Sequence, residues 1–291
     1  MDLQDLVERL RKGEPRAIAR ALTLVENDQP EARELLSRVF GDERSAKIVG
    51  LTGPPGVGKS TLVDVLARLA REHDLDVAVL AVDPTSPFTG GALLGDRARM
   101  DSGAADPKIF IRSMATRGHV GGLSAAVFEA LVLLEAAGKD FILVETVGAG
   151  QDEVEVAAAV DVTVVVLAPG LGDQIQASKA GLMEIADILV VNKADRDGAD
   201  LVAEETHAHT DGEPVFKTVA LDATGVDKLF TEIERTHGER RLMESWLLNC
   251  LHRAVREKIP ADAWTAALER LNRRQTTPYQ AAAALLESLK S

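Results

Sequence analysis

Cysteine and aromatic residues are scarce in this sequence, and the 33 basic residues are outnumbered by 46 acidic ones. Cys250 is the single cysteine among 291 residues, which excludes an internal disulfide, and no cysteine or histidine cluster has the spacing of a metal site. Aromatic residues make up 3% of the chain and leave few platforms on which single-stranded nucleic acid could stack. The formal net charge of −13 also disfavours nucleic-acid binding, because phosphate backbones attract basic surfaces.

Long hydrophobic runs are missing as well. The longest, such as residues 162–169, are far shorter than the roughly 18 residues that would span a membrane as a helix. The first ten residues, MDLQDLVERL, are acidic and amphipathic, whereas a secretion signal is basic and then apolar. We therefore expect a folded cytoplasmic protein without membrane contacts.

The spacing of apolar residues divides the chain into three regions. Residues 1–43 repeat them with helical period, which predicts an N-terminal helical extension. Residues 44–237 alternate short β-branched runs with helical patterns, which is typical of an α/β domain with a parallel sheet. In residues 238–291 helical patterns return, and Thr277 with Pro278 predicts the start of a last helix. We expect this C-terminal extension either to pack on the α/β domain or to form a dimer or partner interface.

The middle region contains seven candidate strands. Continuous apolar strands separated by helices predict a doubly wound sheet, in which ligands bind at the carboxyl ends of the strands. The candidates are residues 48–51, 77–82, 109–111, 141–144, 162–167, 188–191 and 214–220.

A phosphate-binding loop is the strongest motif. Residues 53–61, GPPGVGKST, match G-x-x-x-x-G-K-[ST] between a predicted strand and a predicted helix at 59–72. Its glycines let backbone N–H groups surround phosphate oxygens, toward which the helix directs its positive end. Lys59 supplies charge for the β- and γ-phosphates, Ser60 can bind Mg²⁺, and Thr61 is a further phosphate contact. The predicted nucleotide-binding residues here are Gly53, Pro54, Pro55, Gly56, Val57, Gly58, Lys59, Ser60 and Thr61.

A second motif, NKAD at residues 192–195, indicates guanine recognition. It follows the predicted strand 188–191. The Asp195 carboxylate can accept hydrogen bonds from N1–H and from the exocyclic amine of guanine, whereas adenine offers no such pair of donors. Lys193 would lie over the purine ring, and Asn192 would brace the loop. We therefore expect GTP and GDP to be the ligands.

Three acidic residues are candidates for holding Mg²⁺ together with Ser60. Asp83 and Glu145 follow predicted strands, and Asp96 lies in a glycine-rich segment that could fold over the nucleotide. The N–H of Gly148 could sense the γ-phosphate. Acids at these points could hold Mg²⁺ directly or through water, and the metal would neutralise charge that develops on the phosphate. Lys59, Glu145 and Asp96 are thus the candidate catalytic residues of the motifs.

These motifs together resemble the MeaB-like family. Its members are P-loop GTPases of the SIMIBI type that chaperone cobalamin-dependent acyl-CoA mutases such as methylmalonyl-CoA mutase, and they are sometimes labelled arginine/ornithine transport kinases. The resemblance covers most of residues 45–200, in the segments GLTGPPGVGKSTL, VLAVDPTSPFTGGALLGDRARM, ETVGAGQDEVEVA, VVVLAPGLGDQIQASKAG and ILVVNKAD.

The resemblance implies a GTPase whose hydrolysis of GTP is slow without its partner. It would gate the loading of cobalamin onto the mutase and the protection of the mutase, and cobalamin would bind to the mutase and not to this chain. The resemblance also implies a nucleotide switch around Asp96, a partner-responsive switch at residues 169–179 in which Lys179 is functional, and a homodimer built through the helical extensions. Residues 114–127 depart from the family's usual pattern. The client mutase therefore stays open among methylmalonyl-, isobutyryl- and ethylmalonyl-CoA enzymes.

Two other functions fit parts of the sequence. A GTPase that inserts nickel or another metal into a client enzyme would need metal ligands, yet Cys250 stands alone and the six histidines show no convincing pairing. A small-molecule kinase could use the same phosphate loop, but the NKAD motif favours guanine and no acceptor pocket can be read from the sequence.

Overall fold

The computed structural model forms two compact units, Met1–Leu242 and Met243–Ser291. The division into three regions stays a prediction, and its first two regions lie within the first unit. The structure describes residues 2–42, 46–83, 106, 108–115, 122–146, 154, 156–170, 182–208, 210, 212–237 and 242–289.

A parallel sheet of seven strands forms the centre of the first unit. Its order is β3-β2-β4-β1-β5-β6-β7, and each neighbouring pair is parallel. The strands are β1 (Lys47–Thr52), β2 (Val77–Asp83), β3 (Ile109–Ala115), β4 (Phe141–Thr146), β5 (Val162–Leu167), β6 (Ile188–Asn192) and β7 (Val215–Thr218).

The seven predicted strands are all present, although several end at other residues than predicted. β3 continues through Arg112 and Ser113, and β4 continues through Glu145 and Thr146. The prediction followed apolar runs, whereas a strand continues through polar residues wherever its neighbour pairs with them. β7 is shorter than the run at 214–220, because the chain leaves the sheet after Thr218.

The strand order changes direction at β1. β2 and β3 lie on one side of it, β5 to β7 lie on the other, and β4 is inserted beside it. A sheet of this kind binds ligands outside the carboxyl ends of the strands near the point of reversal. The predicted doubly wound α/β fold is therefore confirmed, and its topology directs attention to the ends of β1 and β4.

Helices flank the sheet and supply the rest of the core. The described helices of the first unit are α1 (Leu3–Arg11), α2 (Pro15–Glu26), α3 (Pro30–Val39), α4 (Lys59–Glu72), α5 (Gly122–Ala136), α6 (Ala199–His207) and α7 (Val226–Arg235). Helices α4 and α7 cover one face, where Leu62, Leu66 and Phe230 pack on Leu51 and Val164. Helices α1 to α3 pack on one another and on α5.

An ion pair joins the N-terminal helices to the edge of the sheet. Arg112 of β3 donates to the Glu26 carboxylate at 2.6 Å and to the Thr23 hydroxyl at 3.2 Å, both on α2. The Arg112 and Glu26 side chains are only 18% and 15% exposed. Removing one partner of so enclosed a pair would leave the other charge poorly solvated.

The second unit is helical. It contains α9 (Ala261–Asn272), α10 (Pro278–Ser288) and all but the first residue of α8 (Leu242–Lys258). Thr277 caps α10 as predicted: its hydroxyl accepts from the Gln280 N–H at 3.3 Å, and the Gln280 side chain accepts from the Thr277 N–H at 3.1 Å. Among the helices described, none combines the length and apolar character that crossing a bilayer requires.

Three aspartates fasten the amino ends of the strands. Each lies one residue before a strand. Each makes two hydrogen bonds to the backbone of one residue, which lies in a neighbouring strand or directly before it. The Asp161 N–H donates to Ile48 O and its carboxylate accepts from Ile48 N–H, both at 2.9 Å. Asp187 does the same with Thr163 at 2.9 and 2.7 Å, and Asp140 with Asp76 at 2.8 and 2.8 Å. Some of the acidic residues that give the chain its negative charge thus have a structural role.

The Asp187→Ala variant tests that role. We expect it to lower the free energy of unfolding by about 1–2 kcal/mol, because the Thr163 N–H loses a charged acceptor. Asp187→Asn keeps an acceptor oxygen and should lose less. Urea denaturation of the three proteins measures the difference, and an Asp187→Ala protein as stable as the parent would contradict the assignment.

Candidate nucleotide site

The phosphate loop joins β1 to α4, and two of its glycines cannot be replaced without displacing a neighbour. Gly53 has φ +139°, and a Cβ there would lie 2.2 Å from the Val166 carbonyl oxygen. Gly58 has φ +98°, and a Cβ there would lie 2.5 Å from Nδ2 of Asn192. The loop is therefore pressed against β5 on one side and against the NKAD loop on the other.

The Lys59 ammonium lies over this loop. Its Nζ donates to the carbonyl oxygens of Gly53 at 2.6 Å and Pro54 at 3.2 Å, and the residue is only 7% exposed. A positive charge is thus held beside the backbone that would surround a phosphate, in the first turn of α4 together with Ser60 and Thr61.

A hydroxyl and a carboxylate meet at the end of β4. Ser60 Oγ donates to Glu145 Oε1 at 2.6 Å, and Glu145 is 4% exposed. In this contact the Ser60 O–H bond is directed at the carboxylate, so the lone pairs of the hydroxyl oxygen point elsewhere. Mg²⁺ prefers oxygen ligands of these two kinds, so the donor set fits the cation predicted for this position.

The remaining predicted metal and switch residues are only partly placed. Asp83 ends β2, whose neighbour β4 pairs Thr146 with Val82, so the backbone of Asp83 lies near the end of β4. The Asp83 side chain lies outside the described residues, and so do Asp96, Gly148 and Lys179. Their roles stay predictions.

Asn192 connects the NKAD loop to the phosphate loop. It is 2% exposed, and its Nδ2 donates to the Val57 carbonyl at 2.9 Å. Its Oδ1 accepts from the Ala220 N–H at 3.0 Å and from the Thr218 hydroxyl at 3.2 Å. The brace that the sequence suggested therefore extends to a third segment, the chain that follows β7.

Lys193 and Asp195 occupy different positions on the same loop. Lys193 has φ +57° and its Nζ donates to the Gly56 carbonyl at 2.5 Å, a second contact between the two loops. Asp195 is exposed beyond the end of β6. An accessible carboxylate next to a phosphate loop is what recognition of guanine donors requires.

The segment after β7 was not identified from the sequence. Residues 219–225 form a tight loop closed by a bridge between Val219 and Thr224. The hydroxyl and N–H of Thr224 hold the pKa of the Asp222 carboxyl below its ordinary value. The apolar run at 214–220 marked the strand, but no motif marked the Thr218 hydroxyl or the Ala220 N–H as parts of the site.

The site thus collects three kinds of group at one edge of the sheet. The ends of β1 and β4 bring together a backbone cradle with a lysine and a buried carboxylate bonded to a hydroxyl. At the end of β6 lies an exposed carboxylate, on a loop that Asn192 joins to the cradle. Phosphate, a divalent cation and a base with two donors are the chemical groups that such an arrangement can bind together.

Comparison with known proteins identifies relatives over nearly the whole chain. A family model described as methylmalonyl-CoA mutase-associated GTPase MeaB matches residues 18–277. A protein of Pyrococcus abyssi named "Putative GTPase" is 44% identical over 99% of this chain and 97% of its own. GTPase ArgK of Escherichia coli is 40% identical over 79% and 75%. The methylmalonic aciduria type A homolog of Caenorhabditis elegans, described as mitochondrial, is 41% identical over 67% and 53%.

Solved structures with the same fold are also found. A structure titled LAO/AO transport system kinase matches with a TM-score of 0.64 and 28% identity, over 99% of this chain and 98% of its own. HypB from Helicobacter pylori in complex with nickel matches with a TM-score of 0.51 and 17% identity, over 71% and 95%. At that identity the likeness to HypB shows the fold alone.

The clash that a Cβ at Gly53 would cause can be tested with a pair of glycine-to-alanine variants. We expect Gly53→Ala to weaken GDP binding by roughly 100-fold or more, because about 3 kcal/mol of strain would fall on the phosphate loop. Gly212→Ala is the control, since Gly212 also has a positive φ, +121°, but a Cβ there would meet nothing within 4 Å. Titration calorimetry with GDP compares them, and equal affinities would contradict the close approach of Gly53 to β5.

Proposed function

The chain belongs to the MeaB family and is a P-loop GTPase, and from that premise we propose that it is a chaperone of a cobalamin-dependent acyl-CoA mutase. The match across residues 18–277 carries the proposal, since it extends from the N-terminal helices to the second unit and is not limited to the nucleotide site. The name of the Caenorhabditis elegans relative supports the link to methylmalonyl metabolism. GTP hydrolysis would gate the loading of cobalamin onto the mutase and its protection there.

The residues of the site would divide the work of hydrolysis. The loop 53–58 and Lys59 would bind and orient the phosphates, and Asp195 would fix the guanine base. Ser60 and Glu145 would hold Mg²⁺, which when bound supplies positive charge to the phosphates. Catalysis of this kind depends on positioning and on charge neutralisation, so a slow intrinsic reaction can be accelerated by a partner that improves either one.

Gating requires that GTP and GDP stabilise different arrangements of the protein. A γ-phosphate can hold switch segments in one arrangement and release them after hydrolysis. We propose this role for the segments around Asp96 and Gly148 and for residues 169–179 with Lys179. Equal binding of the mutase in the presence of GTP and of GDP would exclude it.

We further propose that the protein is a cytoplasmic homodimer assembled through its second unit. Helices α9 and α10 border a groove of about 550 Å³ lined by five alanines and a leucine together with five polar side chains. Leucines of α8 are exposed to an unusual degree, with Leu247 at 68%, Leu251 at 54% and Leu248 at 47%. Apolar surface of this extent on a helical segment favours association.

The guanine preference can be tested on Asp195. IDP lacks the exocyclic amine of GDP, so the parent protein should bind GDP about tenfold or more tightly than IDP, as expected for hydrogen bonds to a charged acceptor. In Asp195→Asn the ratio of the two affinities should fall toward one, because the amide presents a donor to the donors of guanine. Asp197→Ala, on the same exposed loop, should keep the parent ratio. Calorimetric titration with both nucleotides gives the ratio, and an unchanged ratio in Asp195→Asn would remove the residue from the site.

The chaperone role can be tested by steady-state GTP hydrolysis with and without an acyl-CoA mutase from the same source. We expect stimulation well above the intrinsic rate, because the partner would order the switch segments. Lys59→Ala should abolish both rates, and Lys228→Ala, at an exposed position of α7, should change neither. No stimulation, with the two proteins eluting separately from a sizing column, would contradict the mutase proposal and direct the search to nickel or other metal clients.

A further inference from the structure

Two buried threonines, Thr52 and Thr146, are in contact at the carboxyl ends of β1 and β4. Thr146 Oγ1 donates to Thr52 Oγ1 at 3.2 Å and lies 3.5 Å from the carbonyl oxygen of Leu51. Thr52 is 2% exposed and Thr146 is 3% exposed. Neither hydroxyl can reach bulk solvent, and neither has a role in the motifs described above.

The two threonines occupy equivalent positions at the ends of neighbouring strands. Thr52 is the last residue of β1 and directly precedes Gly53, and Thr146 is the last residue of β4 and directly follows Glu145. Leu51 pairs with Glu145 in the ladder, so Thr52 and Thr146 are the next residues along both strands.

The two strand ends are therefore joined on both faces of the sheet. Successive side chains of a strand point to opposite faces. Glu145 points to the face covered by α4, where it accepts the Ser60 hydroxyl, so Thr146 points to the other face, where it meets Thr52. One contact fixes the carboxylate against the phosphate-binding helix, and the other fixes the backbone that carries this carboxylate against the backbone that begins the loop.

Packing alone does not require hydroxyl groups at these positions. Val144, two residues earlier on the same face of β4, is fully buried, and so is Val165, which pairs with Thr52 from β5. Valine has nearly the shape of threonine, and a buried hydroxyl costs free energy unless it is hydrogen-bonded. The hydrogen bond between the two hydroxyls offsets that cost, and it joins the last residue of β1 to the last residue of β4.

We propose that Thr52 and Thr146 are positioning residues for GTP hydrolysis. Their contact sets the distance between the phosphate loop and Glu145, and thereby the alignment of Glu145 with Ser60. The inference rests on the proposed role of Glu145 and Ser60 in holding Mg²⁺. Binding of the nucleotide depends on many backbone N–H groups of the loop, whereas turnover depends on the placement of charge in the transition state.

The experiment compares Thr146→Val, Thr52→Val and the double variant, with Thr146→Ser as the conservative variant. Both valine variants should lower kcat by roughly three- to tenfold, the effect of one neutral hydrogen bond, and change KM for GTP by less than about twofold. Thr146→Ser keeps the hydroxyl and should retain at least half of the parent kcat. Since each valine variant removes the same contact, the double variant should be about as slow as the slower single variant.

Thr163→Val is the matched control. Thr163 is also buried, at 3% exposure, but it lies near the amino end of β5, away from the site. Its replacement should leave kcat and KM unchanged, whatever it does to the melting temperature. If Thr146→Val does not fold, Thr52→Val and the rescue by Thr52→Ser provide the same comparison.

Two results would overturn the proposal. One is a parent-like kcat in both valine variants with only a lowered melting temperature, which would make the contact purely structural. The other is a raised KM with unchanged kcat, which would place the effect in nucleotide binding. Titration of the parent enzyme with Mg²⁺ and a chelator tests the metal site separately, so failure of that site would not be mistaken for failure of the threonine pair.

Discussion

The side chain of Asn192 makes the contacts on which the nucleotide site depends. One buried amide bonds to the phosphate loop through the Val57 carbonyl and to the chain after β7 through Thr218 and Ala220. All of these groups are buried or backbone, so removing the amide would leave both donors and an acceptor without their partner. The NKAD loop and the phosphate loop are therefore parts of one hydrogen-bonded unit, to which the Lys193 contact with Gly56 adds a second connection.

The sheet makes this unit possible because its order places β1 between β4 and β5, with β6 and β7 one and two strands beyond β5. All the strands are parallel, so their carboxyl ends lie at one edge and the loops that follow them are neighbours. The amino ends are fastened independently by Asp140, Asp161 and Asp187. The aspartate contacts and the candidate nucleotide site thus lie at opposite edges of the sheet, so the loops that follow the strands do not carry the contacts that join the amino ends.

The fold and the centre of the site could be predicted from the sequence, because both depend on local patterns. Continuous apolar runs located the strands, and the glycines with Lys59 and Ser60 located the phosphate loop. What could not be predicted depends on register between distant segments: Thr218 reaches Asn192 across 26 residues, and Thr146 reaches Thr52 across 94. Likewise, the sequence alone indicates that an aspartate before a strand is a turn residue. Its hydrogen bond to an N–H of the neighbouring strand is known only from the structure. The roles of all the site residues stay predictions, and Asp96, Gly148, Lys179 and the Asp83 side chain also lie outside the described residues.

Hydrogen–deuterium exchange of an Asn192→Ala variant without nucleotide tests most directly whether the NKAD loop and the phosphate loop form a single unit. If they do, exchange should be faster than in the parent protein at residues 53–62 and 215–225 as well as at the NKAD loop, and it should not change in Asp197→Ala. Faster exchange confined to residues 192–198, with the phosphate loop protected as in the parent, would show that the two loops are independent.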